Sequence, residues 1–197
     1  MPRGIPLTQE EQAGRRRAIF NATVGLILDK GFPETSMREI AEAAGMGKSS
    51  LYDYFKTKDE ILLFVVEEEG AALLQQAQAI AGMNAPPEER LKRMMQMHLA
   101  FMQANGNLLL RLNAEMQRLG PESQRRIQER RYVYQDLVAS IVEEGIAQGC
   151  FRPVHPLHAA RLLINSLVSV LYTTRPSGSA EEMMDEAIAI FLKGILT

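Results

Sequence analysis

The sequence predicts an all-α protein, and three observations predict it. Apolar residues recur at three- and four-residue spacing along nearly the whole chain, without the strict alternation of a half-buried strand. S/T-x-x-E capping boxes stand at Thr8/Glu11, Ser36/Glu39, Thr57/Glu60 and Ser179/Glu182, each just ahead of such a run. The main breaker clusters, at Gly31/Pro33, Pro86/Pro87, Gly120/Pro121 and Pro176/Gly178, fall between the runs. Together these mark about nine helices, with no convincing strand and no internal repeat.

The first helix begins at the Thr8/Glu11 box. Ile19, Phe20, Ala22, Val24, Leu26, Ile27 and Leu28 carry its periodicity; Gly31 ends it and Pro33 prevents its resumption. It should run about 22 residues, roughly 33 Å. Its Arg15-Arg16-Arg17 run reads as a solvated face, with phosphate attraction as the alternative. Ser36 and Glu39 open the second helix, whose apolar side is Met37, Ile40, Ala41 and Ala44. Gly45 permits a sharp turn, and Gly47 caps a short third helix without a side-chain acceptor. There Leu51 and Phe55 face inward at i,i+4 spacing, leaving Lys48, Ser49, Ser50, Tyr52, Asp53 and Tyr54 outside. Two short helices across a tight turn, over Thr35 to Lys58, form a helix-turn-helix that can lay one helix in a DNA major groove.

Thr57 and Glu60 open a long fourth helix through Ile61, Leu62, Val65 and Val66 to about Ala81, with Glu67-Glu68-Glu69 a solvated stretch of it. Asn84-Ala85-Pro86-Pro87 breaks the chain. One helix is expected from Pro87 to Ala104, interrupted at Asn105-Gly106, and another from Asn107 to Leu119. A long helix follows from Pro121 to Gln148, then a loop from Gly149 to Pro156 and a helix from Leu157 to Thr174. Ser179 and Glu182 cap the last helix, which carries Met183, Ala187, Ile188, Phe191 and Ile195.

Composition narrows the function classes. Hydrophobic residues at 46% and charged residues at 23% of 197 are those of an ordinary globular chain, long enough for one larger or two smaller cores. No apolar run reaches the roughly 18–20 residues of a membrane span, and MPRGIPLTQEEQ lacks the apolar centre of a secretory signal, so a cytoplasmic protein is expected. Cys150 is the single cysteine, which leaves no intrachain disulfide or thiolate zinc site; it is expected as a partly buried free thiol in a loop. The first 60 residues hold nine Lys/Arg and nine Asp/Glu. Any nucleic-acid binding must then come from the placement of charges rather than from an overall basic field.

Gly47-Lys48-Ser49 imitates the end of a phosphate-binding P-loop, but Glu42 stands where that motif needs glycine and a capped helix stands where it needs a strand. His155 and His158 have a spacing seen in metal sites, yet only His98 remains elsewhere and strong donors are lacking. His155 is expected to cap the helix starting at Pro156, and His158 to face solvent. There is no G-x-S-x-G, H-E-x-x-H or G-x-G-x-x-G, so no enzyme activity, metal or cofactor is expected.

Over residues 10–65 the chain resembles the TetR family of bacterial transcriptional regulators. The resemblance rests on Lys30-Gly31-Phe32, Thr35-Ser36, Ile40-Ala41, Ala44-Gly45, Leu51-Tyr52-Asp53-Tyr54-Phe55 and Lys58. It implies a three-helix DNA-binding domain over 1–56, a long linking helix over 57–81, and a ligand-binding and dimerisation domain over 57–197. It also implies a homodimer through the last two helices. Carried over by position, Lys48, Ser49, Ser50 and Asp53 would face base edges or nearby phosphates. Tyr52, Tyr54, Thr35 and Lys58 would mainly hold backbone phosphates, and Ser36 belongs to the same surface. Two positions depart from the family pattern: Gly47 replaces a frequent Ser, and Asp53 a commoner neutral or aromatic residue. Asp53 could accept from a cytosine amino group or simply turn aside from the DNA.

The resemblance further implies a regulator, most often a repressor, that binds a near-palindromic operator as a dimer and leaves it when a small molecule binds. Met97, His98, Phe101, Met116 and Tyr132 are the candidate effector contacts, with Met94 and Met102 beside them; a methionine stripe is also ordinary core. Arg111, Asn165 and Ser166 could add polar contacts. The stretch Tyr172-Thr173-Thr174-Arg175-Pro176-x-Gly178 is similar to endings in members that sense lipid-like or acyl-CoA ligands. The alternative from another class is a helical small-molecule-binding or interaction protein that has lost DNA recognition.

Overall fold

The computed structural model describes residues 8–196. Eight helices follow in order: α1 (Gln9–Lys30), α2 (Met37–Ala43), α3 (Lys48–Tyr54), α4 (Lys58–Ala81), α5 (Pro87–Met116), α6 (Pro121–Ala147), α7 (Pro156–Leu171) and α8 (Ala180–Ile195). Among the described residues the only extended pairing is an isolated antiparallel bridge between Phe151 and Leu196. The segment MPRGIPL and Thr197 lie outside the described residues.

Eight helices stand where nine were expected, because α5 runs unbroken through Asn105-Gly106. A lone glycine inside a helix costs only about 1 kcal/mol relative to alanine. The apolar spacing continues on both sides, with Leu99, Leu108 and Leu112 all buried. Asn105 does not compete with the helix; its Nδ2 donates back to the Phe101 carbonyl at 3.0 Å. Capping boxes close fully at Thr8, Ser36 and Ser179. The fourth is half made: Thr57 Oγ1 accepts from the Glu60 N–H at 3.2 Å, but Glu60 Oε2 takes the Lys56 N–H at 2.6 Å.

The chain divides into two compact units, one of residues up to 69 with 107–124, the other of 70–106 with the residues from 125 onward. In the first, Ile19, Ile40, Ala41, Leu51, Phe55, Ile61 and Phe64 form a buried cluster. Burial of each large side chain is worth about 1.5–3 kcal/mol, enough to hold the short α2 and α3, which would not survive alone. Phe55 and Phe64 lie 5.1 Å apart at their centroids, and Phe20 meets Phe64 edge-on at 6.3 Å.

In the second unit, α7 and α8 pack on each other, and their buried residues join those of α6 around Met94, Met95 and Leu99. Phe151 anchors the loop after α6 onto Gly145, where an added Cβ would lie 2.2 Å from the ring. Only glycine admits that approach. The Cys150 thiol beside it is half-buried, with Sγ donating to the Gly145 carbonyl at 3.2 Å. Arg90 is buried, giving Nη1 to the Ala81 carbonyl at 2.9 Å and pairing Nη2 with Glu144 at 2.6 Å. That partner holds the Glu144 carboxyl below its ordinary range. His155 takes the N-cap position of α7 without a side-chain capping bond, and its ring lies against His158 with centroids 4.4 Å apart. No third candidate ligand completes a metal site around this pair among the described residues. Nor is any described helix long and apolar enough to cross a membrane.

Candidate nucleic-acid interface

The helix-turn-helix is positioned from both ends. At its start, the α1–α2 turn passes through Gly31 at φ +89°, a conformation glycine adopts readily. Lys58, at the first position of α4, reaches into this turn. Its Nζ donates to the carbonyls of Phe32 at 2.8 Å, Pro33 at 3.0 Å and Thr35 at 2.9 Å, and sits 4.5 Å from the Phe32 ring centroid. Thr35 is buried, with Oγ1 donating to the Gly31 carbonyl at 2.8 Å. The polar atoms of both residues, expected at phosphates, are therefore engaged within the protein. Arg111 Nη1 supports the same turn from α5, donating to the Ile27 carbonyl at 2.8 Å.

Ser36 is also committed, donating Oγ to Glu39 at 2.7 Å as part of the α2 cap. Lys30 Nζ at 2.5 Å, followed by Ser36, holds the Glu39 carboxyl down at about 2. Between α2 and α3, Gly45 at φ +67° turns the chain, and the Met46 N–H returns to the Ala41 carbonyl at 3.0 Å.

α3 then divides as its spacing requires. Leu51 and Phe55 are buried in the core. Lys48, Ser49 and Asp53 are exposed, and Ser50 and Tyr52 are half-exposed. Tyr54 is half-buried and packs against the core, so only part of it remains for solution. Lys48 Nζ stands 5.8 Å from the Tyr52 ring centroid, and Asp53 has no ion pair among the described residues. The result is a narrow polar surface of short side chains with one ammonium group, suited to reading base edges.

Two features of this unit escape sequence reasoning. Arg16, in the run read as a solvated face, lies over Phe64 at 4.4 Å, a contact visible only once α1 and α4 are packed. An open groove of about 440 Å³ is lined by Glu11, Arg15 and Ala18 of α1, the turn Gly45-Met46-Gly47, and Ser50. It adjoins the exposed side of α3.

The expected effector residues are divided between the two units. Met116 belongs to the first unit; Met97, His98, Phe101 and Tyr132 belong to the second. Met94 is wholly buried and Met97 packs against the core, while Phe101 and Met102 are half-buried. Tyr132 is 47% exposed, its hydroxyl accepting from Gln128 at 2.6 Å. The tyrosine that meets His98 is Tyr134, at 4.9 Å between centroids and nearly perpendicular. Its place on the buried stripe Tyr134, Val138, Ile141, Val142, Gly145 explains the difference, since two residues along a helix turn a side chain to the far side. Burial pulls His98 down to about 4 and pushes the Tyr134 hydroxyl up. Asn165 is exposed, and Ser166 Oγ donates to the Leu163 carbonyl at 2.6 Å.

A sequence profile described as "Bacterial regulatory proteins, tetR family" matches residues 19–65, the helix-turn-helix with its flanks. A second, described as "Tetracyclin repressor-like, C-terminal domain", matches residues 84–195, more than half of the chain. The chain belongs to the TetR family. Among TetR-family relatives, the HTH-type transcriptional repressor KstR2 of Mycolicibacterium smegmatis is 28% identical, covering 96% of this chain and 95% of its own. A TetR/AcrR-family transcriptional regulator from Thermobifida fusca superposes with a TM-score of 0.76 at 27% identity, covering 91% of this chain and 97% of its own. AibR, solved in complex with isovaleryl coenzyme A and operator DNA, superposes with a TM-score of 0.69 at 26% identity, covering 89% and 97%. This TetR-family protein is a transcriptional regulator, and the alternative of a helical protein without DNA recognition is not favoured.

Proposed function

We propose that this TetR-family regulator is a repressor that binds a near-palindromic operator as a homodimer and leaves it when a small, lipid-like molecule binds. Residues 1–56 would read the DNA; residues 57–197 would sense the ligand and dimerise. The observation that carries the reading is the α2–turn–α3 unit. Leu51 and Phe55 are buried against the core, while Lys48, Ser49 and Asp53 are exposed and Ser50 is half-exposed, which leaves these four open to a DNA groove. In this reading those four meet base edges and adjacent phosphates, and Tyr52 and Tyr54 hold the backbone. Lys58, Thr35 and Ser36 act one step removed, by fixing the turn and the cap that orient α3.

Dimerisation through α7 and α8 is supported by apolar side chains left in solvent. Leu162 is 70% exposed, Val168 56% and Ile190 66%, on two helices that otherwise bury their apolar faces. A second copy is the simplest cover for them. A lipid-like effector is supported by AibR, which is known with both isovaleryl coenzyme A and operator DNA. Release would then be a coupling between two equilibria: a ligand that favours one arrangement of the paired DNA-binding domains lowers the affinity of an operator that needs another. The site of action is the cytoplasm, and no catalytic step is part of the proposal.

Selection of binding sites from random DNA tests this directly. The expected outcome is a near-palindrome whose half-sites lie about one helical turn, roughly 34–36 Å, or a multiple of it apart. Ser50→Ala should change the preferred bases, whereas Lys58→Met should weaken all sequences alike. Absence of any enriched site would refute the repressor reading, and exchanged effects of the two substitutions would refute the residue roles.

A further inference from the structure

Among the described residues, four side-chain polar atoms of the second unit are buried without a hydrogen-bond partner: Arg90 Nε and Nη2, His98 Nδ1 on α5 and Tyr134 Oη on α6. The His98 and Tyr134 rings meet edge to face, 4.9 Å apart with planes at 78°, and neither polar atom satisfies the other. Arg90, the unit's buried cation, differs in that its guanidinium is anchored, through the ion pair with Glu144 and Nη1 donating to the Ala81 carbonyl, although its Nε has no partner. Folded proteins rarely leave a buried donor or acceptor empty without a use for it. The surroundings are adaptable: Met94, Met95 and Met184 share the core cluster with Tyr134, and Met97 packs against it. Unbranched thioethers can shift around a guest without losing contact.

We propose that His98 Nδ1 and Tyr134 Oη are the polar end of the effector site, and that they take an uncharged oxygen on an otherwise apolar molecule. A ketone or thioester carbonyl would accept from the Tyr134 hydroxyl, and an alcohol would be bracketed, one group donating and the other accepting. A carboxylate is disfavoured, because neither atom offers the positive charge needed to offset its desolvation. Both groups are neutral at pH 7, since burial pulls His98 down to about 4 and pushes Tyr134 up. The inference rests on the reading of residues 57–197 as the ligand-sensing part, and names the chemistry that part selects.

The test is thermal melting of the full chain and of its Tyr134→Phe and His98→Leu variants with four ten-carbon probes: 2-decanone, 1-decanol, decanoate and decane. The ketone and alcohol should raise the melting temperature of the unsubstituted protein by about 3 °C more than decanoate or decane does at the same concentration. That difference should vanish in Tyr134→Phe and shrink in His98→Leu. Without probe, Tyr134→Phe should melt at or above the original temperature, because the hydroxyl it loses had no partner. The proposal is overturned if decanoate stabilises as well as the ketone, if the preference survives in both variants, or if no probe shifts the melt. A Tyr134→Phe protein that cannot fold would also contradict it. Operator binding measured on the same unliganded samples reports separately on the regulator reading, so failure there and failure of the ligand preference are distinguishable.

Discussion

Lys58 donates its ammonium protons to three carbonyls of one turn and covers Phe32 with the same group. The chain entering α2 is thereby tied to the first residue of α4. Lys58→Met should lower stability by about 2 kcal/mol in a denaturant midpoint, and Lys58→Arg should not restore it, because a planar guanidinium cannot converge on three carbonyls. His98 gives a second test at this scale. Its folded pKa is depressed from 6.5 to about 4 by burial, so between those values the unfolded chain binds the extra proton and stability falls as pH drops. The loss should approach roughly 3 kcal/mol by the lower limit. A urea-denaturation series across that window should show a clearly steeper slope in the unsubstituted protein than in His98→Leu, where carboxylates with lowered pKa, such as Glu39 and Glu144, still contribute near its lower end. Single residues were the least legible part of the sequence. Tyr132 and Tyr134 are equally polar and differ only in which side of α6 they occupy. Nothing in the order of residues shows that Lys58 and Thr35 turn inward, since their partners are backbone carbonyls, which every residue has.

The elements were more legible, because caps and periodicity are local. Ser36 with Glu39 and Ser179 with Glu182 start helices where their spacing says they must. The errors came where two local signals competed. Asn105-Gly106 looks like a break, but the apolar spacing on either side outweighs it, and the helix continues. Two glycine substitutions separate these effects. A Cβ at Gly106 meets nothing within 4 Å, so Gly106→Ala should stabilise the protein by up to about 1 kcal/mol. Gly145→Ala, also in a helix, would place its Cβ 2.2 Å from the Phe151 ring, and should destabilise by about 1–3 kcal/mol despite the better propensity. Paired thermal melts check both. A loss at Gly106 would mean that the chain needs a glycine conformation there after all.

At the scale of the molecule, class and family were readable because the helix-turn-helix concentrates its signal in one short stretch, Thr35 to Lys58. The proposed effector-binding part has no such stretch. The residues expected to make its contacts stand on separate helices, and a buried methionine looks the same whether it lines a site or fills a core. Charge adds a constraint of its own: the first 60 residues are electrically balanced, so affinity for DNA must come from a few placed groups, among which Lys48 is proposed, and from helix geometry. Each phosphate neutralised should contribute about −0.9 to the slope of log affinity against log salt. The most direct measurement is therefore a titration of the full chain against the DNA upstream of its own coding sequence and against a scrambled fragment, at several salt concentrations. Tight, strongly salt-dependent binding with clear preference for the upstream fragment is expected. A flat salt response, or equal affinity for the scrambled DNA, would contradict a sequence-reading regulator.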